Sequence, residues 1–398
     1  QMLNINNTLI ILCYFNLILS LQYMKSPKLS YSLRSTNNIN SDINIYPYKV
    51  NKDSSSIPST TSNERKTFKR FMQVELWRSP ELEALFPILD SLERACRDIN
   101  RLMRRISTDN LDGLNSQFTV NIQGESQKKL DVIANRILKT ALCCSGEMEL
   151  VASEEEDEPC LCSSIIDNSA FTGDFAAVFD PLDGSSNIDS GLPTGTIFGV
   201  YKKPSFVNQN NFDPSTLVKQ KGSKLVIAGY CLYSASTHLV ITMRSGLHMF
   251  TLDDVSGEFY LTKSNIRIPT HGNIYSFNDA YFDSWDSATR YFIQDLRSNK
   301  LRQSQYSRSP SARYIGALVA DVHNILMNGG VFGYPATVKN PSGKLRLVYE
   351  ANPLAMVLEE AGGYSSDGKQ RILDKEVNNI HERTPLFLGS VDEVKAIE

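Results

Sequence analysis

At 398 residues, 41% hydrophobic and 21% charged, the chain has the composition of an ordinary folded globule and the length for a two-lobed one. Its formal net charge of −3 argues against nucleic acid or an anionic membrane as partner of the mature chain. Seven cysteines without a repeated spacing or a paired C-x-x-C argue against a disulfide scaffold and a zinc site.

Residues 1–63 differ from the rest. They hold an apolar run, Leu9–Leu21, followed by a Ser/Asn/Thr-rich stretch with Lys25, Lys28, Arg34, Lys49 and Lys52 set against only Asp42 and Asp53. The run is short for a membrane span and fits the core of a secretory signal. The stretch after it has transit-peptide composition and too little apolar surface to fold. The expectation is a bipartite leader that delivers a soluble body to a plastid stroma; a disordered tail behind an uncleaved anchor, ordinary secretion and mitochondrial import are the competing readings.

Ser79-Pro80-Glu81 reads as a helix start, and Leu85, Leu89, Leu92, Cys96, Ile99, Met103 and Ile106 step as one buried stripe, with Pro87 kinking or restarting the helix. A second helix is expected over Ser126–Leu142, with Asp131 beside its apolar face. Val151-Ala152-Ser153 then leads into the acidic run Glu154–Glu158. A solvated loop accounts for Asp157 and Glu158, whereas Glu154 and Glu155 adjoin an apolar segment and could face a cation. Cys160 and Cys162 in the following polar loop are expected to be accessible, as solvent-exposed bystanders, with a redox role as the alternative.

Phe175–Phe179 is a strand that opens into Asp180-Pro181-Leu182-Asp183-Gly184-Ser185-Ser186. Pro181 fixes one backbone angle and Gly184 permits an unusual one, so Asp180 and Asp183 can converge. Converging carboxylates repel, and a hard divalent cation relieves them. The backbone N–H groups and hydroxyls that follow suit phosphate oxygens. An Asx-rich turn capping a helix would account for the same stretch taken alone. Further on, Gly195–Tyr201 and Leu225–Tyr230 read as buried strands and His238–Thr251 as a hairpin. Ser284–Leu296 and Ser311–Met327 read as helices, the latter stopped by Gly329-Gly330. Lys344–Glu350 alternates as a strand ending at Glu350, and a helix starts at Asn352-Pro353. Interleaved helices, strands and hairpins predict a layered α/β, or α+β, fold with mixed sheets.

Lys128–Asp131, Ser153–Glu155, Phe179–Asp189, Ser311–Tyr314 and Gly343–Pro353 together resemble the fructose-1,6-bisphosphatases, within the wider family of metal-dependent, lithium-sensitive sugar and inositol phosphatases. The resemblance runs from Phe68 to the C-terminus, with lobes near 68–265 and 266–398. It implies two or three Mg²⁺, or Mn²⁺, on Glu154, Asp180, Asp183, Glu350 and the Leu182 carbonyl. Asp131 and Glu155 would orient and deprotonate the attacking water. Gly184, Ser185, Ser186 and Arg346 would hold the reacting phosphate. Asn278, Tyr281, Tyr314, Tyr334 and Lys344 would hold the far phosphate, with Arg313 reaching in from a neighbouring subunit of a homodimer or homotetramer. Glu125 stands where many relatives carry Asp, in a loop role.

Two departures bear on regulation. AMP-inhibited relatives carry a small-residue phosphate loop where this chain has Ser79–Glu83, and Lys and Tyr contacts become Asp174 and Phe175 here. The chain also has no cysteine between Tyr201 and Leu225, where the redox-regulated plastid form has its insertion. Weak AMP inhibition and a redox-insensitive, second plastid type are the expectations. Sedoheptulose-1,7-bisphosphatase or dual activity, inositol monophosphatase, and a silent phosphosugar sensor are the competing readings.

Overall fold

The long strands are apolar on both faces because they lie between layers. The computed structural model describes residues 65–109, 111, 128–204, 213–298 and 309–398, all within the compact unit Arg65–Glu398. The leader and Glu125 lie outside the described residues. Eight strands build the first sheet: β1 (Met148–Ser153), β2 (Cys160–Leu161), β3 (Phe175–Asp183), β4 (Thr194–Lys202), β5 (Leu225–Tyr233), β6 (His238–Thr242), β7 (Leu247–Asp253) and β8 (Glu258–Lys263). Their order is β2-β1-β3-β4-β5-β6-β7-β8, with β1 and β3 parallel.

Alternation along β3 separates the layers. Phe175, Ala177 and Phe179 join Leu92, Ile99, Leu130 and Leu138 from the helices Phe86–Met103 and Lys129–Cys143. Ala176 and Val178 face the opposite way, toward Val319, Val322, Leu354 and Leu358 on the helices Leu318–Asn328 and Asn352–Glu360. Those two helices are sandwiched by a second sheet of β9 (Ile274–Ser276), β10 (Ser311–Ala312), β11 (Val331–Tyr334), β13 (Tyr364–Ser366) and β15 (Leu386–Gly389), ordered β10-β9-β11-β15-β13. A short ladder pairs β12 (Leu345–Arg346) with β14 (Arg383–Thr384). Behind the second sheet, Phe292 and Leu296 of the helix Ser287–Arg297 pack with Phe277 and Phe387. The result is five alternating layers of helix and sheet. Among the described residues no helix is long and apolar enough to cross a membrane.

Four local expectations are corrected. The helix expected to start at Ser79-Pro80 is instead a 3₁₀ turn, Pro80–Leu85, preceded by a helix Phe68–Arg78; the α-helix proper restarts at Phe86 with Pro87 in its first turn, where proline is tolerated, the restart being one of the two outcomes expected at Pro87. The helix expected from Ser311 begins at Leu318. Ser311 and Ala312 pair with β9, Gly316 has φ +83°, and Asp321 takes the Ile315 and Gly316 N–H groups at 2.9 and 3.0 Å. Beyond Arg346 the chain winds into a π turn, Leu347–Ala351, so Glu350 sits in a widened helical turn instead of at a strand end. Finally, Cys162 is buried and disulfide-bonded to Cys143, tying the end of the Lys129–Cys143 helix to the segment behind the acidic loop. Cys160 remains a free, half-buried thiol.

Candidate active site

Asp180 and Asp183 are three positions apart on one strand and should point to opposite faces. A β-bulge removes the conflict. Asp180 pairs with Ile197 and Asp183 with Gly195, so one extra residue is absorbed between them and both carboxylates emerge on the side of the central helices. The Asp180 carboxylate accepts the Leu182 N–H at 3.0 Å. Asp183 accepts the Val319 N–H at 2.7 Å. It thereby caps, from another strand, the helix Leu318–Asn328, whose own N-cap Ala317 has no side chain to offer. Gly184 follows with φ +74°, and a Cβ there would lie 2.5 Å from the Ala317 Cβ, so the close approach needs glycine.

Three further stretches bring acids to this point. β1 runs parallel to β3 and ends beside it, Ser153 opposite Phe179, which delivers Glu154 next to Asp180. Glu155 follows, its N–H held by Ser153 Oγ at 3.2 Å. The π turn delivers Glu350, whose carboxylate accepts the Arg346 N–H. Asp131 comes from the first turn of its helix, where it accepts the N–H of the N-cap residue Lys128 at 2.8 Å. Oxygens of Asp180, Asp183 and Glu350 lie within 4.8 Å of one another, and all three side chains are buried. Arg346, also buried, is 3.0 Å from Glu154.

So many acids in so little water resist ionisation. Burial first, then Glu154, Asp183 and Glu350, push Asp180 well above the usual carboxylate range. Asp183 is pushed up to about 7 by burial, against the pull of the Val319 N–H. Asp131 rises to about 7, again mainly through burial. A divalent cation answers this strain. The donors are hard carboxylate oxygens without a histidine or cysteine among them, which suits Mg²⁺ or Mn²⁺ rather than a soft or borderline metal.

These acids line one end of a cavity of about 260 Å³, together with Leu182, Gly184, Ser185 and Ser186. Tyr314, Tyr334, Lys344 and Arg346 line it as well. Asn278 and Tyr281 sit one side chain further out: Asn278 bonds Tyr314, and the Tyr281 ring centroid is 6.3 Å from that of Tyr334. Arg313 is not brought in. It is exposed, and its guanidinium folds onto the Ala312 carbonyl at 2.8 Å. Asp174 is exposed, whereas Phe175 is buried in the core. The lining also includes Asp321, which the sequence reading missed. It is 1% exposed, accepts Ser276 Oγ at 2.7 Å, and holds the loop behind Tyr314. An acid four residues into a helix whose start had been misplaced gave no signal of this.

The chain matches two family models, the N-terminal domain of fructose-1,6-bisphosphatase over residues 66–264 and the C-terminal domain over 268–398. It is 44% identical over 323 residues to the chloroplastic fructose-1,6-bisphosphatase of Spinacia oleracea, covering 78% of this chain and 75% of that one. It is also 42% identical over 334 residues to the cytosolic enzyme of Brassica napus, covering 83% and 94%. Among solved structures it resembles Leishmania major fructose-1,6-bisphosphatase in holo form, with TM-score 0.76 and 34% identity, over 84% of this chain and 98% of that one. With both family models matched in order and the acid cluster at the junction of their layers, this chain belongs to the fructose-1,6-bisphosphatase family.

Proposed function

We propose that the chain hydrolyses the 1-phosphate of D-fructose 1,6-bisphosphate, giving fructose 6-phosphate and phosphate, in the Calvin cycle or gluconeogenesis. The observation that carries this reading is one cavity lined by two unlike sets of groups: buried carboxylates, and tyrosines with Lys344. A bisphosphate needs both. A monophosphate would leave the second without use, and a silent sensor would have no use for Asp131 and Glu155 beside the cluster.

Two or three Mg²⁺, or Mn²⁺, held by Glu154, Asp180, Asp183, Glu350 and the Leu182 carbonyl would neutralise phosphate charge and acidify water when bound. The protein's own groups do the rest. Asp131, buried near Glu154 and held by the Lys128 N–H, is placed to take a proton, and Glu155 lines the same cavity. N–H groups and hydroxyls of Gly184, Ser185 and Ser186 hold the reacting phosphate, and Arg346 adds a buried positive charge against its oxygens. Tyr314, Tyr334 and Lys344 hold the far phosphate, with Asn278 and Tyr281 fixing the tyrosine rings. Arg313 completes that end from a neighbouring subunit of a homo-oligomer. By resemblance, Glu125 takes an auxiliary part in the reaction.

Residues 1–63 act as a targeting leader to the plastid, and the body divides near residue 265 into a metal-binding and a sugar-phosphate-binding lobe. The acidic Ser79–Glu83 segment and the inward-facing Phe175 support weak AMP inhibition, which micromolar AMP at saturating Mg²⁺ tests. The reaction itself is tested by phosphate release from fructose 1,6-bisphosphate and sedoheptulose 1,7-bisphosphate side by side, with Asp183→Asn as control. Preference for the fructose substrate, lost in the variant, is expected. Equal or reversed preference moves the enzyme to a dual or sedoheptulose role.

A further inference from the structure

Besides Asp180 and Asp183 on β3, the cation cluster draws on two distant stretches, the Glu154–Glu155 loop and the turn that carries Glu350, and something must keep their separation constant. β14 and the residue before it brace the turn. Arg383 pairs with Arg346, and Leu347 N–H donates to the Glu382 carbonyl at 2.7 Å. Just before them, His381 makes two contacts that point in opposite directions. Its Nδ1 is 3.0 Å from the hydroxyl of Tyr349, the residue beside Glu350. Its Nε2 is 3.2 Å from the carbonyl oxygen of Asp157, three residues beyond Glu154.

The chemistry of the partners fixes the ring. A carbonyl only accepts, so Nε2 carries the hydrogen and donates it to Asp157. Nδ1 then shares a hydrogen bond with the Tyr349 hydroxyl, which can give or take one. Tyr349 is fully buried, so its hydroxyl is a fixed reference for the turn. The ring thus joins a core side chain on the Glu350 side to the backbone of the acidic loop on the Glu154 side. Nothing in the hydrolysis described above uses His381 directly.

We propose that His381 is a positioning residue for the cation cluster, clamping the Glu154–Glu155 loop to the Glu350 turn so that carboxylates from both sides keep one separation. The proposal rests on the reading of the acid cluster as a divalent-cation site. Residues one step behind a metal's ligands typically change its affinity about 10- to 100-fold when removed.

The test is Mn²⁺ binding to the full chain without substrate, read as free Mn²⁺ by electron paramagnetic resonance, for the wild type, His381→Phe, Tyr349→Phe and the double variant. His381→Phe should raise the Mn²⁺ dissociation constant about tenfold, with the KM for fructose 1,6-bisphosphate at saturating Mg²⁺ unchanged. Tyr349→Phe, which keeps the Asp157 contact, should raise it about threefold. The double variant should match His381→Phe alone, because both changes cut one path. Wild-type Mn²⁺ affinity in His381→Phe, or losses that simply add, overturns the proposal. If His381→Phe does not fold, wild-type affinity in Tyr349→Phe does so instead. A wild type that binds Mn²⁺ yet releases no phosphate from the bisphosphate overturns the functional reading and leaves the clamp standing.

Discussion

The two ends of the cavity are built by different physics. At the acid end the positions are set by backbone: a bulge in β3, the end of β1, a π turn and a helix N-terminus hold Asp180, Asp183, Glu154 and Glu350 in place, nearly all out of water. Among the tyrosines, Tyr314 is 41% exposed and Tyr281, just outside the lining, 42%, and Arg313 lies folded on the Ala312 carbonyl. The acids are buried and electrostatically strained before anything binds; these tyrosines are exposed and gain their energy from hydrogen bonds formed with the ligand. Function at the first is therefore expected to oppose stability, and at the second to be nearly independent of it.

The largest effect should come from breaking the acid end. Asp180→Asn removes one charge from a site where burial and three acids already resist ionisation. It should lower kcat/KM at least about 1,000-fold, roughly 4 kcal/mol, while raising the melting temperature measured in EDTA. A variant that loses activity and also melts lower would show that the cluster is not strained.

The disulfide sharpens the contrast next. Cys143 and Cys162 are 19 residues apart in sequence, and the bridge braces the helix that carries Asp131 against the loop that follows Glu155. Replacing both by Ala should cost about 3 kcal/mol in chemical denaturation while leaving the KM for bisphosphate unchanged. A rise in KM would mean that the two ends are not mechanically separate.

The helix Leu318–Asn328 serves both ends, and acid should loosen it. His323 on that helix accepts from or donates to Tyr230 at 2.9 Å and stacks on His238. Burial, with His238 and Lys263 nearby, lowers its pKa from 6.5 to about 4. A depressed histidine is neutral when folded and takes up a proton when unfolded. Its contribution is therefore full above pH 6.5 and lost as pH falls toward 4, by up to about 3 kcal/mol. His323→Asn should flatten that part of the stability profile, and an unchanged slope would remove His323 as its source.

The smallest effects belong to the open end. Tyr314→Phe and Tyr334→Phe should each raise KM about 10-fold, the loss of one hydrogen bond to a charged phosphate, with kcat within about twofold and no change in melting temperature. Equal losses in kcat would place these hydroxyls at the reacting phosphate.

Much of this was legible in the sequence because strong signals are local. The both-faces-apolar β3, the acid pairs and the glycine after Asp183 each state their need within a few residues. What escaped depends on partners far along the chain. Nothing near Asp183 tells that its carboxylate will cap a helix starting at Leu318, and the misplaced start of that helix hid Asp321. The Lys344–Glu350 alternation is real only as far as Arg346, after which the turn widens to put Glu350 beside Asp180. Cys143 and Cys162 carry no motif, so only the packing of a helix end against the acidic loop reveals the bridge. Arg313 reads as a ligand by resemblance, yet one chain alone leaves it outside the cavity.

The division of labour between the two ends is the central claim, and the identity of the released phosphate tests it most directly. With Mg²⁺ and fructose 1,6-bisphosphate, ³¹P NMR of the product should show fructose 6-phosphate and inorganic phosphate alone, and none of either with Asp183→Asn. Fructose 1-phosphate as product, or turnover that survives the substitution, would contradict the assignment of hydrolysis to the acid end.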